Sequence, residues 1–134
     1  MGNLTVEIVT PEKRVLSVQA EEAILPGYHG LFGVLPGHTP FLSLMDDGLL
    51  TLKAAGGTQV FHVEGGFVEV GDDHVRVLAN NAYPVSAIDL DGAKKRLEEA
   101  KANLQGMSAE DSRFQVESAT VKRETARIAS AARR

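Results

Sequence analysis

The chain of 134 residues contains no cysteine, and no apolar run in it is long enough to form a membrane-spanning helix. The first absence excludes disulfide bonds and thiolate chemistry. The second follows because a helix needs roughly 18 consecutive apolar residues to cross a bilayer. The start of the chain also lacks the basic segment and the long apolar core of a secretory signal. We therefore expect a soluble protein without direct membrane insertion, whose link to any membrane runs through a partner.

Motifs for enzymatic catalysis are missing as well. No glycine is followed by lysine, which excludes the Gly-x-x-x-x-Gly-Lys-Ser/Thr phosphate loop. No Gly-x-Ser-x-Gly run is present to form a nucleophile elbow. The four histidines have neither cysteine partners nor His-x-x-x-His spacing; they are His29, His38, His62 and His74. We find no catalytic residue and no metal site, and we expect a non-catalytic protein without a bound cofactor.

Charge is unevenly distributed along the chain, whose formal net charge is −4. Residues 1–86 carry four basic and ten acidic side chains, whereas residues 112–134 carry six basic and two acidic ones. A basic tail on an acidic body is typical of contact with an anionic partner surface, and it is also typical of a helix face that only meets solvent. The tail has one aromatic residue, Phe114, and no arginine-rich run, so we do not expect nucleic acid as a partner.

Residues 1–86 follow the period of β-strands. Leu4, Val6 and Ile8 alternate with more polar neighbours, as in a half-buried strand. Ala55-Gly56-Gly57-Thr58 and Gly71-Asp72-Asp73-His74 separate further alternating runs and predict tight hairpin turns. Many short strands with glycine-rich turns indicate an antiparallel β-sandwich or flattened barrel. We assign this first domain to residues 1–86.

Residues 87–134 change to a helical period. The first helix has an apolar stripe formed by Leu90, Ala93, Leu97, Ala100 and Leu104. Ser86 and Asp89 have capping-box spacing, Gly106 is suited to end this helix, and Ser108 is suited to begin the next. The second helix carries Phe114, Val121 and Ile128, with Ser118, Thr125 and Ala132 between them along the seam. The pattern predicts an antiparallel two-helix hairpin with a thin seam, which could detach or stay permanently docked.

The most specific run of the chain spans residues 24–42, ILPGYHGLFGVLPGHTPFL. Its glycines and prolines predict a stiff, structured loop region. Two further runs are GGFVEV at 65–70, followed by VRVLA at 75–79, and IDLD at 88–91. In this order and spacing the runs resemble the epsilon subunit of the bacterial F-type ATP synthase, and the resemblance covers nearly the whole chain.

The resemblance implies a central-stalk subunit that couples ion-driven rotation of the rotor to ATP synthesis. Its expected partners are the gamma subunit and the membrane ring of c subunits, at the cytoplasmic face of the bacterial inner membrane. Contacts with the c-ring are expected from Tyr28, His29, Gly30, Leu31 and Phe32. Contacts with gamma are expected from His38, Thr39 and Phe41.

The resemblance also implies that the helical hairpin, extended along gamma, sets its basic second helix against acidic surfaces of the alpha and beta subunits and inhibits ATP hydrolysis. The expected inhibitory face comprises Arg113, Lys122, Arg123, Arg127, Arg133 and Arg134. The sequence leaves open whether the hairpin is docked or extended, and whether the driving ion is a proton or sodium.

ATP remains open as a regulatory ligand. Some relatives bind it through an Ile/Leu-Asp-x-x-Arg-Ala motif at the start of the hairpin, and this chain has Gly92 in place of the arginine. The candidate nucleotide-binding residues are Ile88, Asp89, Ala93, Lys122, Arg123 and Arg127. Two other functions fit the same pattern: a stand-alone small-ligand sensor with a helical lid, and a purely structural adaptor.

Overall fold

A computed structural model describes residues 3–133 of the chain. The contacts within the chain divide it after Val85 into two units. The first unit is built from β-strands and the second from two α-helices, which confirms the predicted sandwich followed by a helical hairpin. The strands are β1 Leu4–Val9, β2 Arg14–Ala20, β3 Glu22–Gly27, β4 Gly30–Val34, β5 Phe41–Leu44, β6 Gly48–Ala54, β7 Gly57–Glu64, β8 Phe67–Gly71, β9 His74–Leu78 and β10 Asn81–Pro84.

Two five-stranded sheets form the sandwich. Their strand orders are β2-β1-β9-β8-β5 and β10-β7-β6-β3-β4. All pairs are antiparallel except β1 with β9, which run parallel in the register Val6↔Val75 and Ile8↔Val77. The antiparallel sandwich predicted from the sequence thus contains one parallel pair, which the alternation could not reveal, because alternation shows which face of a strand is buried but not which strand lies beside it.

The core lies between the two sheets. The side chains of Leu4, Val6 and Ile8 on β1 are fully buried, as their alternation predicts. They pack in one hydrophobic cluster with side chains of the other sheet such as Leu50 and Leu52. Burying one such side chain contributes roughly 1.5–3 kcal/mol. The sandwich therefore has a core sufficient to hold its edges in fixed positions.

The chain crosses from one sheet to the other at the Gly65-Gly66 pair, between β7 and β8. Both residues have positive φ, 62° and 99°. A Cβ atom on Gly66 would overlap the Leu78 carbonyl oxygen and lie 2.9 Å from the Ala79 Cα. Glycine is therefore required here by backbone conformation and by close approach.

The run at residues 24–42, predicted as a structured loop region, is largely strand. β3 and β4 form an antiparallel hairpin with Leu25 opposite Phe32 and Gly27 opposite Gly30. The loop prediction was wrong for β4, because Gly30 and Gly33 lower its β-propensity without preventing its pairing with β3. The turn Gly71–His74 was predicted correctly, with φ of 52° at Asp72 and 58° at Asp73.

A short 3-10 turn at Val85–Ala87 spans the boundary, and the second unit contains the helices α1, Leu90–Leu104, and α2, Phe114–Ala131. Asp89, and not Ser86, is the N-cap of α1, since its side chain accepts from the Gly92 N–H. Gly106 has φ of 76°, as expected just beyond a helix C-terminus. The second helix begins at Phe114 and not near Ser108, because residues 108–113 are closed by turn hydrogen bonds.

Candidate functional site

An apolar surface lies along one open side of the sandwich. Residues 3–133 expose eight large hydrophobic side chains, and seven of them belong to β4, β5, the turns beside these strands, or the paired start of β8. We call this surface the exposed edge. It comprises Tyr28, Leu31, Leu35, Phe41, Leu42, Leu44 and Phe67. Both β4 and β5 are the last strands of their sheets, so each leaves one row of backbone groups without a neighbouring strand.

The exposed edge joins the two sheets through aromatic contacts. Phe32 on β4 and Phe41 on β5 meet edge to face, with ring centroids 5.3 Å apart. The His38 ring lies 6.1 Å from that of Phe41. The structure thus brings one residue predicted to contact the c-ring together with two predicted to contact gamma. Phe41 therefore contacts both of the other rings, at distances typical of aromatic pairs.

The other residues predicted to contact the c-ring or gamma lie on the β3–β4 hairpin and in the loop before β5. Tyr28 and His29 are exposed at the tip of the β3–β4 hairpin, with their rings 5.1 Å apart. Gly30 has φ of 123° and allows the hairpin to turn. The Tyr28 N–H donates to the Leu44 carbonyl at 3.0 Å, which fixes this tip against β5. Leu31 is the most exposed large hydrophobic side chain, at 72%, and Thr39 is also exposed.

Sequence analysis missed Leu42, Leu44 and Phe67 as members of the surface. Leu42 and Leu44 lie opposite Glu69 and Phe67 in the β5–β8 ladder. Phe41 and Ser43 alternate with them and pair with the buried Val70 and Val68. The sequence Phe41-Leu42-Ser43-Leu44 did indicate this surface, because it places apolar residues on both faces of a strand at the edge of a sheet.

A cluster of charged side chains occupies the helical hairpin. Glu124 on α2 is completely buried and accepts from three arginines. Arg96 Nε reaches it from α1 at 3.1 Å, Arg127 Nη1 at 2.9 Å and Arg123 Nε at 3.3 Å. We call these four residues the Glu124 cluster. Its carboxylate supplies a charged partner for three guanidinium groups that would otherwise repel one another.

The other predicted inhibitory cations are placed differently. Arg113 forms a two-point ion pair with Asp111, with its Nη2 3.0 Å from the carboxylate. The hydrogen bond from Arg113 holds the pKa of Asp111 below its usual range, and Asp111 raises the pKa of Arg113. Lys122 and Arg133 have exposed side chains. Arg134 lies outside the described residues.

Most of the candidate nucleotide-binding residues are already engaged in other contacts or buried. Asp89 is occupied as the cap of α1, and Ile88 and Ala93 are buried. A Cβ on Gly92 would overlap the Asp89 carboxylate. Arg123 and Arg127 point their guanidinium groups at Glu124. A phosphate would have to compete with that carboxylate for both arginines.

Within residues 3–133, neither helix combines the length and the apolar character needed to cross a membrane. The same residues contain no group of three or more histidine, cysteine or acidic side chains arranged to hold a metal ion.

Comparison with known structures agrees with this fold. The chain is similar to a subunit in a cryo-EM structure of the Euglena gracilis mitochondrial ATP synthase, with a TM-score of 0.85, 23% identity and coverage of 100% of this chain and 83% of that one. It is also similar to a chain in the central stalk and c-ring structure of the Tetrahymena thermophila mitochondrial ATP synthase, with a TM-score of 0.66, 15% identity and coverage of 95% and 97%. At these identities the likeness shows the fold alone.

Comparison with known sequences shows the family. Residues 3–85 match the family described as ATP synthase, Delta/Epsilon chain, beta-sandwich domain. The ATP synthase epsilon chain of Myxococcus xanthus is 63% identical over 131 residues, which cover 98% of this chain and 96% of that protein. That of Anaeromyxobacter sp. strain K is 45% identical over 130 residues, covering 97% and 98%. The resemblance noted in the sequence is thereby confirmed, and the chain belongs to the epsilon chain family of ATP synthase, a non-catalytic stalk subunit of that complex.

Proposed function

We propose that this chain is the central-stalk subunit that links the membrane rotor to the catalytic head, and that the exposed edge is its binding surface for gamma and the c-ring. The observation that carries the proposal is the concentration of seven exposed large hydrophobic side chains at β4, β5 and their turns. Exposed large hydrophobic side chains that are gathered on neighbouring strands and turns favour protein contact. The similar structures are of ATP synthases and include the c-ring and the central stalk, which supports this choice of partners.

The two halves of the exposed edge suit two partners. The β3–β4 tip with Tyr28 and Leu31 extends beyond the core and is available to the c-ring. The β5 side, with His38, Phe41 and Leu42, is available to gamma. Because both are fixed to one rigid sandwich, torque applied by the ring is transmitted to gamma without deformation of the domain. The complex would hold the subunit peripherally at the cytoplasmic face of the bacterial inner membrane.

The binding surface can be tested with a matched pair of substitutions. Leu42 is 66% exposed within the exposed edge, and Val116 is 63% exposed on α2. Leu42→Gln should weaken binding of the purified full chain to the gamma subunit by at least about tenfold, since a buried leucine side chain is worth about 1.5–3 kcal/mol and about 1.4 kcal/mol corresponds to a factor of ten. Val116→Gln should leave the affinity unchanged. Equal affinities for both variants and the wild type would exclude the β5 side from the interface.

We further propose that the helical hairpin inhibits ATP hydrolysis when it extends toward alpha and beta. Its support is the surplus of basic side chains in residues 112–134. Exposed charges contribute modest, salt-screened energies, so inhibition should weaken as ionic strength rises. Deleting residues 88–134 should preserve assembly and increase hydrolysis by the complex. Unchanged hydrolysis would refute the regulatory role.

A further inference from the structure

The turn between β8 and β9 holds two consecutive aspartates in the left-handed backbone conformation. Asp72 and Asp73 both have positive φ, 52° and 58°. Two consecutive positive φ values define the two-residue hairpin loop that Asn-Gly and Gly-Gly occupy most readily. Side chains in this region carry a steric penalty that glycine avoids. Aspartate is among the residues that tolerate this conformation, and at the second position its carboxylate is hydrogen-bonded to another segment of the chain.

Asp73 ties this turn to two other segments. Its carbonyl oxygen accepts from the Thr5 N–H at 2.9 Å, which anchors its backbone to the start of β1. Its Oδ1 accepts from the Gly37 N–H at 2.6 Å. A short hydrogen bond to a carboxylate is among the stronger kinds in proteins. The turn is thus anchored to β1 through its backbone and binds the Gly37 N–H through the Asp73 carboxylate.

The attached segment is the loop at residues 35–40, between β4 and β5. Its internal contacts are the turn bond from the His38 N–H to the Leu35 carbonyl, 3.1 Å, and a 2.6 Å contact of His38 Nδ1 with the Thr39 carbonyl. In the described part of the chain, the bond from Gly37 to Asp73 is the only hydrogen bond that joins this loop to another segment.

The position of this loop decides where His38 lies. His38 follows Gly37 directly, and its ring lies 6.1 Å from that of Phe41. Releasing Gly37 would let the loop sample other conformations, and a partner would have to restore the original one on binding. Ordering a free loop lowers affinity without changing any direct contact.

We propose that Asp73 is a positioning residue for partner binding: through Gly37 it holds the loop in the conformation that presents His38 and Phe41 to gamma. This role rests on the gamma contact proposed above. Asp73 itself need not touch the partner. Glycine at position 73 would remove the remaining steric penalty of the positive φ, but it would also lose the attachment to Gly37.

One variant should therefore lower affinity without a matching loss of stability. Asp73→Gly should change the melting temperature little, because relief of the positive φ offsets the lost hydrogen bond, and it should weaken binding of the full chain to purified gamma by about five- to tenfold. Asp73→Asn keeps an oxygen acceptor and tolerates positive φ, so it should bind within about twofold of the wild type. Amide exchange at Gly37 should accelerate in the glycine variant and stay protected in the asparagine variant.

Asp72→Gly is the matched control. It relieves strain in the same turn, and in residues 3–133 the Asp72 side chain makes no hydrogen bond, so affinity should stay at the wild-type value. Wild-type affinity in Asp73→Gly would overturn the positioning role while leaving the gamma contact intact. No binding by the wild-type chain would instead overturn the gamma contact, and the positioning role with it.

Discussion

Glu124 allows a quantitative test of how the hairpin is held together. Its side chain is 0% exposed, whereas those of Arg96, Arg123 and Arg127 are 44%, 40% and 17% exposed. The bond to the largely buried Arg127 should contribute about 1.5–3 kcal/mol, as hydrogen bonds to charged groups do. The two more exposed arginines should contribute only about 0.2–1 kcal/mol each, because water screens them.

Glu124→Gln removes the charge and keeps the shape. One amide oxygen can still accept, but the new NH₂ group must face a guanidinium, so we expect the hairpin to lose about 2 kcal/mol of stability. Amide exchange of α1 residues in the full chain should then accelerate about 30-fold. The Arg96→Gln variant should show a smaller loss, and the double variant should reveal a coupling of about 0.5–1 kcal/mol between the helices.

Glu99→Gln provides the control, since Glu99 is exposed on α1 and loses the same charge. It should change exchange by less than about twofold. If Glu124→Gln behaved like Glu99→Gln, the three arginines would be contributing nothing through that carboxylate. The account of the Glu124 cluster as a stabilising element would then be wrong.

Three further predictions concern stability. Gly66→Ala should destabilise the sandwich by at least about 3 kcal/mol in urea unfolding, because of the positive φ and the overlap with the Leu78 carbonyl. Gly71→Ala is the control: a Cβ there meets open space, so the variant should lose less than about 1 kcal/mol of stability. Equal losses in the two variants would refute the argument. Leu50→Ala should cost about 2–5 kcal/mol in the same assay, since Leu50 is fully buried, and a cost below about 1 kcal/mol would contradict its core position. Because the pKa of Asp111 is lowered in the folded chain, its ion pair with Arg113 stabilises the hairpin above the unfolded pKa of 3.8, and this stabilisation is lost as the pH falls through the lower folded value. Asp111→Asn should therefore reduce the acid dependence of hairpin stability, measured by circular dichroism. An unaltered pH profile would refute the pairing.

The fold was predictable from the sequence because both periods are clear. Alternation at Leu4, Val6 and Ile8 identified a strand with one buried face, and the change of period near residue 87 identified the helices. The pairing of β1 with β9 could not be predicted, since it depends on contacts between segments about 70 residues apart. Local patterns carry no information about such neighbours.

The candidate sites were predicted less completely. Glycines and apolar residues at 27–32 marked a special segment, but its continuation onto β5 emerged only when the two sheet edges came together. In the hairpin, the predicted seam positions Thr125 and Ala132 are exposed, whereas Glu124 is buried. The seam was predicted wrongly because a glutamate is normally a surface residue, and the sequence does not show the arginines that neutralise Glu124 in the folded hairpin.

The parallel pairing of β1 and β9 has a consequence for synthesis of the protein. β1 is made first, yet one of its two neighbours in the sheet ends at Leu78. Until the ribosome has released that segment, one edge of β1, including the backbone beside Val6 and Ile8, has no native partner. Unpaired apolar strands in a nascent chain are open to chaperones and to misassembly. The sandwich therefore cannot be completed until more than half of the chain has been translated. Hairpins that form earlier lack their final neighbours until then.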